Sequence, residues 1–165
     1  MKKLLLFAAG LIFAFSSVAQ EYKWAFGFYG DIQAESPSYE KSFGMLGKYD
    51  LDNHSSVQAQ VFGRTNHVGI GADYLYSFLN RAKNNFNIFL GAGIEQNFYW
   101  STEEDGILRP ESKSNDFEAA AQVGADYYFR PVRLSVFTAY KVKYNIKAED
   151  TKPNYISLGI RYHLW

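Results

Sequence analysis

The sequence predicts an all-β fold, an eight-stranded antiparallel up-and-down barrel, and three observations predict it. Apolar residues recur at every second position through eight stretches, which is the period of a strand with two unlike faces. Each stretch is followed directly by a turn or loop, with no helical crossover, so neighbours pair antiparallel and an even number of strands brings the last beside the first. Glycine gathers on the polar face of the strands while aromatic residues band the apolar face.

The strands are read in order as follows. Residues 22–33 place Tyr22, Trp24, Phe26, Phe28 and Ile32 on one face, and Ser36-Pro37-Ser38 breaks the pattern into a loop over 34–41. Residues 42–51 carry Phe43, Met45, Tyr49 and Leu51, followed by a turn over 52–56. Residues 57–64 alternate Val57, Ala59 and Val61 with Gln58, Gln60 and Arg64, and Thr65-Asn66 makes a short connection. Residues 67–78 put Val68, Ile70, Ala72, Tyr74, Tyr76 and Phe78 together before a polar turn over 79–85. Residues 86–100 form a long run from Phe86 to Trp100, and the longest loop, 101–115, holds Glu103-Glu104-Asp105-Gly106. Residues 116–129 and 132–146 alternate on either side of the tight turn Arg130-Pro131. A polar loop over 147–154 contains Pro153, which argues against a central strand there. The last strand, 155–165, sets Ile156, Leu158, Ile160, Tyr162 and Leu164 against Ser157, Gly159, Arg161 and His163.

The N-terminus is read apart from the barrel. Lys2 and Lys3 precede an apolar run from Leu4 to Phe15, and Ser17-Val18-Ala19 supplies small residues before Gln20. This is the pattern of a secretory signal peptide cleaved after Ala19, since the apolar run is short for a spanning helix. The expected organisation is a signal peptide over 1–19 and a barrel over 20–165. Loss of Lys2 and Lys3 takes the formal charge from 0 to −2, so no basic surface for nucleic acid is implied. The chain contains no cysteine, which excludes disulfides, thiolate metal sites and cysteine nucleophiles.

Alternation alone does not say which face points inward. A soluble ligand barrel would turn its apolar face in, a membrane barrel would turn it out. Gly27, Gly44, Gly69, Gly71, Gly91, Gly93, Gly124 and Gly159 all fall on the polar face. A solvated outer face has no use for so many strand glycines, whereas the narrow lumen of an eight-stranded barrel needs the room. Tyr22, Trp24, Tyr49, Tyr74, Tyr127 and Tyr162 form an aromatic girdle at one end. Phe43, Phe98, Trp100, Phe117 and Tyr144 lie toward the other, with an aliphatic band between, as two lipid–water interfaces require. A transmembrane barrel is therefore expected, with outer-membrane lipid as its surroundings.

Four even-numbered strands repeat one motif, a charged residue followed by a tyrosine: Lys48-Tyr49, Asp73-Tyr74, Asp126-Tyr127 and Arg161-Tyr162. Together with the closing Gly159-Ile-Arg-Tyr-His-Leu-Trp165 and the signal sequence, this resembles the small outer-membrane β-barrel family of the OmpA/OmpX type, often labelled porin-like, over residues 20–165. The resemblance implies a Gram-negative outer membrane, periplasmic chain ends, outward loops 34–41, 65–66, 101–115 and 147–154, and inner turns 52–56, 79–85 and 130–131. It also implies an assembly signal in Tyr162, Leu164 and Trp165, read by the barrel assembly machinery. Trp165 stands one residue out of phase with the lipid-facing register of Tyr162 and Leu164.

The polar face carries the candidate site. Lys48, Asp73, Asp126 and Arg161 are expected in the lumen at one level, with Lys23 and Arg133 near the same end and Glu95, Glu118, Lys141 and Lys143 further along. Mixed signs predict a cross-barrel network that compensates buried charge. The alternative is a narrow ion path, against which stand bulky lumenal residues such as Tyr29, Leu46, Phe62, Leu75, Phe89 and Phe137. No enzyme is expected. Some barrels of this type modify lipid A with a histidine and a serine near the outer surface, but His67 with Ser42, Thr65 or Ser101 matches no hydrolase motif, and His54 and His163 lie at the opposite end. Glu103-Glu104-Asp105 lacks calcium-loop spacing, and no cofactor or metal is expected. The expected role is structural or interactive, in envelope integrity or adhesion, with loops 34–41 and 101–115 the best candidates for contact with a surface partner.

Overall fold

The computed structural model describes residues 23–34, 41–100, 113–146 and 150–164. The signal-peptide stretch 1–19, Tyr22, Trp165 and the segments 35–40, 101–112 and 147–149, with Glu103, Glu104 and Asp105, lie outside the described residues. Eight strands follow one another: β1 (Trp24–Gln33), β2 (Lys41–Asp50), β3 (Ser55–Arg64), β4 (His67–Ser77), β5 (Phe86–Trp100), β6 (Lys113–Phe129), β7 (Leu134–Asn145) and β8 (Asp150–His163). Each pairs antiparallel with the next, and β1 pairs with β8, so the sheet closes into a barrel with no free edge.

The two faces are opposite to those of a soluble protein. Leu158 is 62% exposed and Phe28 63%, whereas Glu95 is 1% exposed and Lys141 2%. The polar, glycine-bearing face thus lines the lumen and the apolar face is the outer surface. Along β1 the alternation is direct: Ala25, Tyr29 and Asp31 are buried, and Phe26, Phe28 and Ile32 are exposed.

Several lumenal glycines sit where side chains of the neighbouring strands lean over them. A Cβ on Gly44 would lie 2.6 Å from the Tyr29 ring, 2.6 Å from the Val61 carbonyl oxygen and 2.8 Å from Phe62 Cβ. The missing side chain is the space that Tyr29 and Phe62 occupy. The outward glycines Gly30 and Gly47 behave differently. Gly30 is paired with Phe43 and Gly47 with Phe26, and each lies under its partner's ring with no backbone collision. An aromatic ring laid across a glycine of the next strand restores the cover that the glycine lacks.

The structure corrects several boundaries. The expected loop 147–154 is strand from Asp150 onward, because Lys143, Tyr144 and Asn145 pair with Lys152, Thr151 and Asp150. A register shift between Lys141 and Lys143 leaves Pro153 and Asn154 opposite Val142. This β-bulge accommodates a proline nitrogen that cannot donate to the ladder. Asn154 takes the left-handed conformation there, with φ 65. Its carbonyl accepts the Ala34 N–H at 2.8 Å, and its Oδ1 accepts the Tyr140 hydroxyl at 2.7 Å. Residues 113–115, expected in the long loop, begin β6 opposite Trp100, Tyr99 and Phe98. At the other end β3 starts at Ser55, inside the expected turn. Arg130–Val132 form one 3-10 turn, closed by Arg133 at φ 54, so β7 starts at Leu134 rather than at 132.

Candidate functional site

The charged lumenal residues do not form one cluster. They divide into two groups with apolar side chains between them. At the end carrying the long loops, Lys141 and Lys143 are two residues apart on β7 and so share the lumenal face. Both reach one carboxylate of β5: Lys141 Nζ lies 3.1 Å from Glu95 Oε1 and Lys143 Nζ 2.7 Å from Oε2. Gln60 Nε2 donates to Glu95 Oε1 at 3.1 Å. Lys141 also lies 3.9 Å from Asp31 Oδ2, and the Ser157 hydroxyl donates to Asp31 Oδ1. Every charge in this group is almost wholly buried, and the mutual pairing is what makes that burial tolerable.

Beside it, Glu118 Oε2 accepts from Asn97 Nδ2 at 2.9 Å. Asp73 Oδ2 accepts from Gln122 Nε2 at 3.1 Å. Asp73 therefore stands apart from Lys48, Asp126 and Arg161, with which the motif repeat grouped it. Gly93 lies directly across from Asp73 in the ladder and leaves space for its carboxylate.

The second group lies at the end carrying the short turns, where β1 starts and β8 finishes. Lys48 Nζ is 2.9 Å from Asp50 Oδ1, and Arg81 Nη1 is 2.8 Å from the same oxygen. Arg81 also donates to Ser56 Oγ at 3.1 Å and to the Asp52 and Ser55 carbonyls at 2.9 Å each, tying the β4–β5 turn to the β2–β3 turn. Arg161 lies 3.8 Å from Asp126 Oδ2 and donates to Gln58 Oε1 at 2.9 Å. Its guanidinium covers the Phe137 ring at 3.7 Å. Lys23 is half-buried at the same mouth, and Arg133 closes the β6–β7 turn through its backbone.

Tyr29, Leu46, Phe62 and Phe137 form one buried cluster, and Leu75, Phe89 and Ala139 another. The first is bounded by Arg161 on Phe137 and by Lys143, whose Nζ lies 4.9 Å over Phe62 and 4.6 Å over Tyr155. Large side chains thus fill the lumen where an ion path would run.

The histidines are structural in their hydrogen bonding. Asn97 donates its amide nitrogen to Glu118, so its oxygen faces His67 Nε2 at 2.9 Å, and that nitrogen is the donor. His67 Nε2 is not a base toward a serine. His67 also stacks on Tyr99 with centroids 4.5 Å apart. His54 Nδ1 donates to the Ser77 carbonyl at 2.8 Å. His163 Nε2 lies 2.9 Å from Ser135 Oγ, a serine–histidine contact that sequence reasoning did not single out. Among the described residues, no carboxylate orients the other His163 ring nitrogen, and no cluster of His, Asp and Glu is arranged to hold a metal ion.

Three members of the charge groups were missed in the sequence: Asp31, Asp50 and Arg81. Asp31 shares the phase of Ala25 and Tyr29 on β1, which is a usable signal. Asp50 and Arg81 stand at strand end and turn, where alternation carries no information.

The girdle residues Trp24, Tyr49, Tyr74, Tyr127 and Tyr162 lie at the turn end. Tyr74, Tyr127 and Tyr162 are exposed on the outer surface, and Tyr49 is half-buried with its ring 4.8 Å from that of Trp24. Tyr76, Phe78, Phe86 and Phe129 are exposed at the same end and widen the band. Of the three assembly-signal residues, Tyr162 and Leu164 are described, and the Leu164 N–H donates to the Trp24 carbonyl at 2.8 Å.

No protein-family model and no curated protein matches this chain. Solved structures do resemble it. The N-terminal β-barrel domain of Pseudomonas aeruginosa OprF superposes with a TM-score of 0.69 at 12% identity, covering 87% of this chain and 98% of that one. Neisserial surface protein A (NspA) gives 0.60 at 16% identity, covering 87% and 98%. A major outer membrane protein from Thermus thermophilus gives 0.55 at 12% identity, covering 86% and 99%. The chain has the fold of these small barrels along almost its whole length and theirs.

Proposed function

We propose that this chain is an integral outer-membrane β-barrel protein of a Gram-negative cell, exported by a signal peptide removed after Ala19, with a structural or surface-interaction role and no enzymatic activity. The observation that carries this reading is the inverted surface. A continuous exterior of Phe28, Met45, Val61, Ile70, Ile94 and Leu158 is exposed while Asp31, Lys48, Asp73, Glu95, Lys141, Lys143 and Arg161 are buried inside. In water such an exterior is an aggregation surface, whereas in lipid it is the required solvent boundary. The girdles support it, and so does the likeness in fold to proteins described as a surface protein and a major outer membrane protein. In this setting the short turns and chain ends face the periplasm, and the connections after β1, β3, β5 and β7 face outward. Those after β1 and β5 are the surfaces through which a partner would be met.

The packed lumen supports a structural role over a channel, and the histidine bonding supports a non-enzymatic one. Cell fractionation with heat-modifiable gel mobility tests the placement. The protein is expected in the outer-membrane fraction, folded and fast-migrating until boiled, and recovery as a soluble periplasmic protein would overturn the reading. Planar-bilayer recording should give no discrete conductance, and lipid A mass spectra should be identical with and without the protein.

A further inference from the structure

A cup of ≈ 540 Å³ opens at the turn end of the barrel, and we propose that it is a binding site for an acidic saccharide. The cup is walled by the three short turns, by Lys23 before β1 and by His163 at the end of β8, and Lys48, Asn87 and Asp126 are among its deeper lining. Its volume falls in the range of small-molecule sites.

The charges of the lining point to an anion. Its three carboxylates already have tasks within the protein. Asp50 Oδ1 is shared by Lys48 and Arg81, and Asp126 faces Arg161. Asp52 accepts the N–H groups of His54 at 2.7 Å and Ser55 at 2.8 Å in its own turn. Two of the cations are less occupied. Lys23 makes no side-chain ion pair or hydrogen bond among the described residues. Among the described residues, Arg130 donates to neutral acceptors, Asn85 Oδ1 at 2.6 Å and the Ala82 carbonyl at 3.1 Å. Lys48 and Arg81 divide one carboxylate oxygen between them. The cup therefore offers cationic donors beyond what its own acids neutralise, and an incoming carboxylate would receive charge-assisted hydrogen bonds.

The remaining lining narrows the ligand to a saccharide. Tyr128 and His163 contribute rings 4.6 Å apart to one wall, and an aromatic wall suits the C–H face of a sugar ring. Asn53 and Asn85 bring amide groups to the rim, able to donate to and accept from hydroxyls. A bare inorganic anion would use the cations and leave the rings and amides idle.

The test is isothermal titration calorimetry on the refolded full-length barrel in nonionic micelles, with trigalacturonate, neutral maltotriose and inorganic phosphate as probes. The cup belongs to the barrel's end, so this experiment stands or fails independently of the membrane placement. Trigalacturonate should bind saturably, and maltotriose and phosphate should each bind about tenfold more weakly or not at all. Lys23→Gln removes no side-chain interaction among the described residues, and it should weaken trigalacturonate about tenfold. Arg130→Gln should do the same with its heat-modifiable mobility intact. No saturable heat with trigalacturonate at millimolar concentration would overturn the proposal. So would equal affinity for phosphate or maltotriose, or unaltered binding by Lys23→Gln.

Discussion

Glu95 is the carboxylate that both Lys141 and Lys143 reach, and its loss is unlike the loss of a surface acid. Glu95→Gln leaves Lys141 and Lys143 buried, with Asp31 at 3.9 Å from Lys141 as the nearest remaining carboxylate partner. Breaking a buried pair by removing one partner costs about 3–5 kcal/mol, because the uncompensated charge stays behind. Urea unfolding of the refolded barrel, followed by tryptophan fluorescence, should show a destabilisation of that size. A change below about 1 kcal/mol would place water beside the lysines. Gly44 gives a second residue-level expectation. A methyl group there meets the Val61 carbonyl and the Tyr29 ring at 2.6 Å, whereas a methyl on Gly30 meets the Phe43 ring at 3.4 Å. Gly44→Ala should cost about 1–3 kcal/mol by overpacking. Gly30→Ala should stay within about 0.5 kcal/mol, as surface substitutions do. The same denaturation series compares the two.

Among the elements, β8 is where sequence and structure part. Pro153 and the polar residues around it read as loop, because proline interrupts a ladder and alternation fades there. The strand survives by bulging at that point, and nothing in residue type alone distinguishes a bulge from a loop. Asn154 is the residue that makes the bulge possible, with φ 65 and a side-chain bond from Tyr140. Asn154→Gly keeps the backbone conformation and loses the hydrogen bond, a cost of about 1 kcal/mol. Asn154→Val adds the strain of a β-branched residue at positive φ, a further 1–3 kcal/mol or so. Equal destabilisation of the two variants in urea would show that the conformation is not what asparagine supplies. Elsewhere the strands were legible because each has a buried and an exposed face, and one face cannot slip by a residue without reversing. Which charges meet was not legible. Lys141 and Glu95 lie 46 residues apart in sequence on non-adjacent strands, and their contact depends on how the barrel closes. The repeat of a charged residue before tyrosine gives Lys48, Asp73, Asp126 and Arg161 a common phase, but phase carries no information on partners, and Asp73 meets Gln122 instead of the other three.

At the scale of the whole molecule, the exterior is a solvent boundary, and depth along it sets what a substitution costs. Ile70 is exposed on β4, paired with Val61 and with Gln96, between the loop-end aromatics Phe43 and Phe98 and the turn-end tyrosines. Tyr74 stands four residues further along the same strand, its hydroxyl 2.9 Å from Ser55 Oγ at the edge of the β2–β3 turn. In lipid, lysine at the first position must drag its ammonium through hydrocarbon, at about 2–4 kcal/mol near the midplane. At the second position the ammonium reaches the headgroup region, where the cost falls to about 0–1 kcal/mol. Refolding into vesicles, read as the heat-modifiable fraction, should therefore fall sharply for Ile70→Lys and little for Tyr74→Lys. In a soluble barrel both lysines would meet water and neither would matter. A folded, soluble Ile70→Lys protein, or equal penalties at the two depths, would mean that this exterior does not face a bilayer.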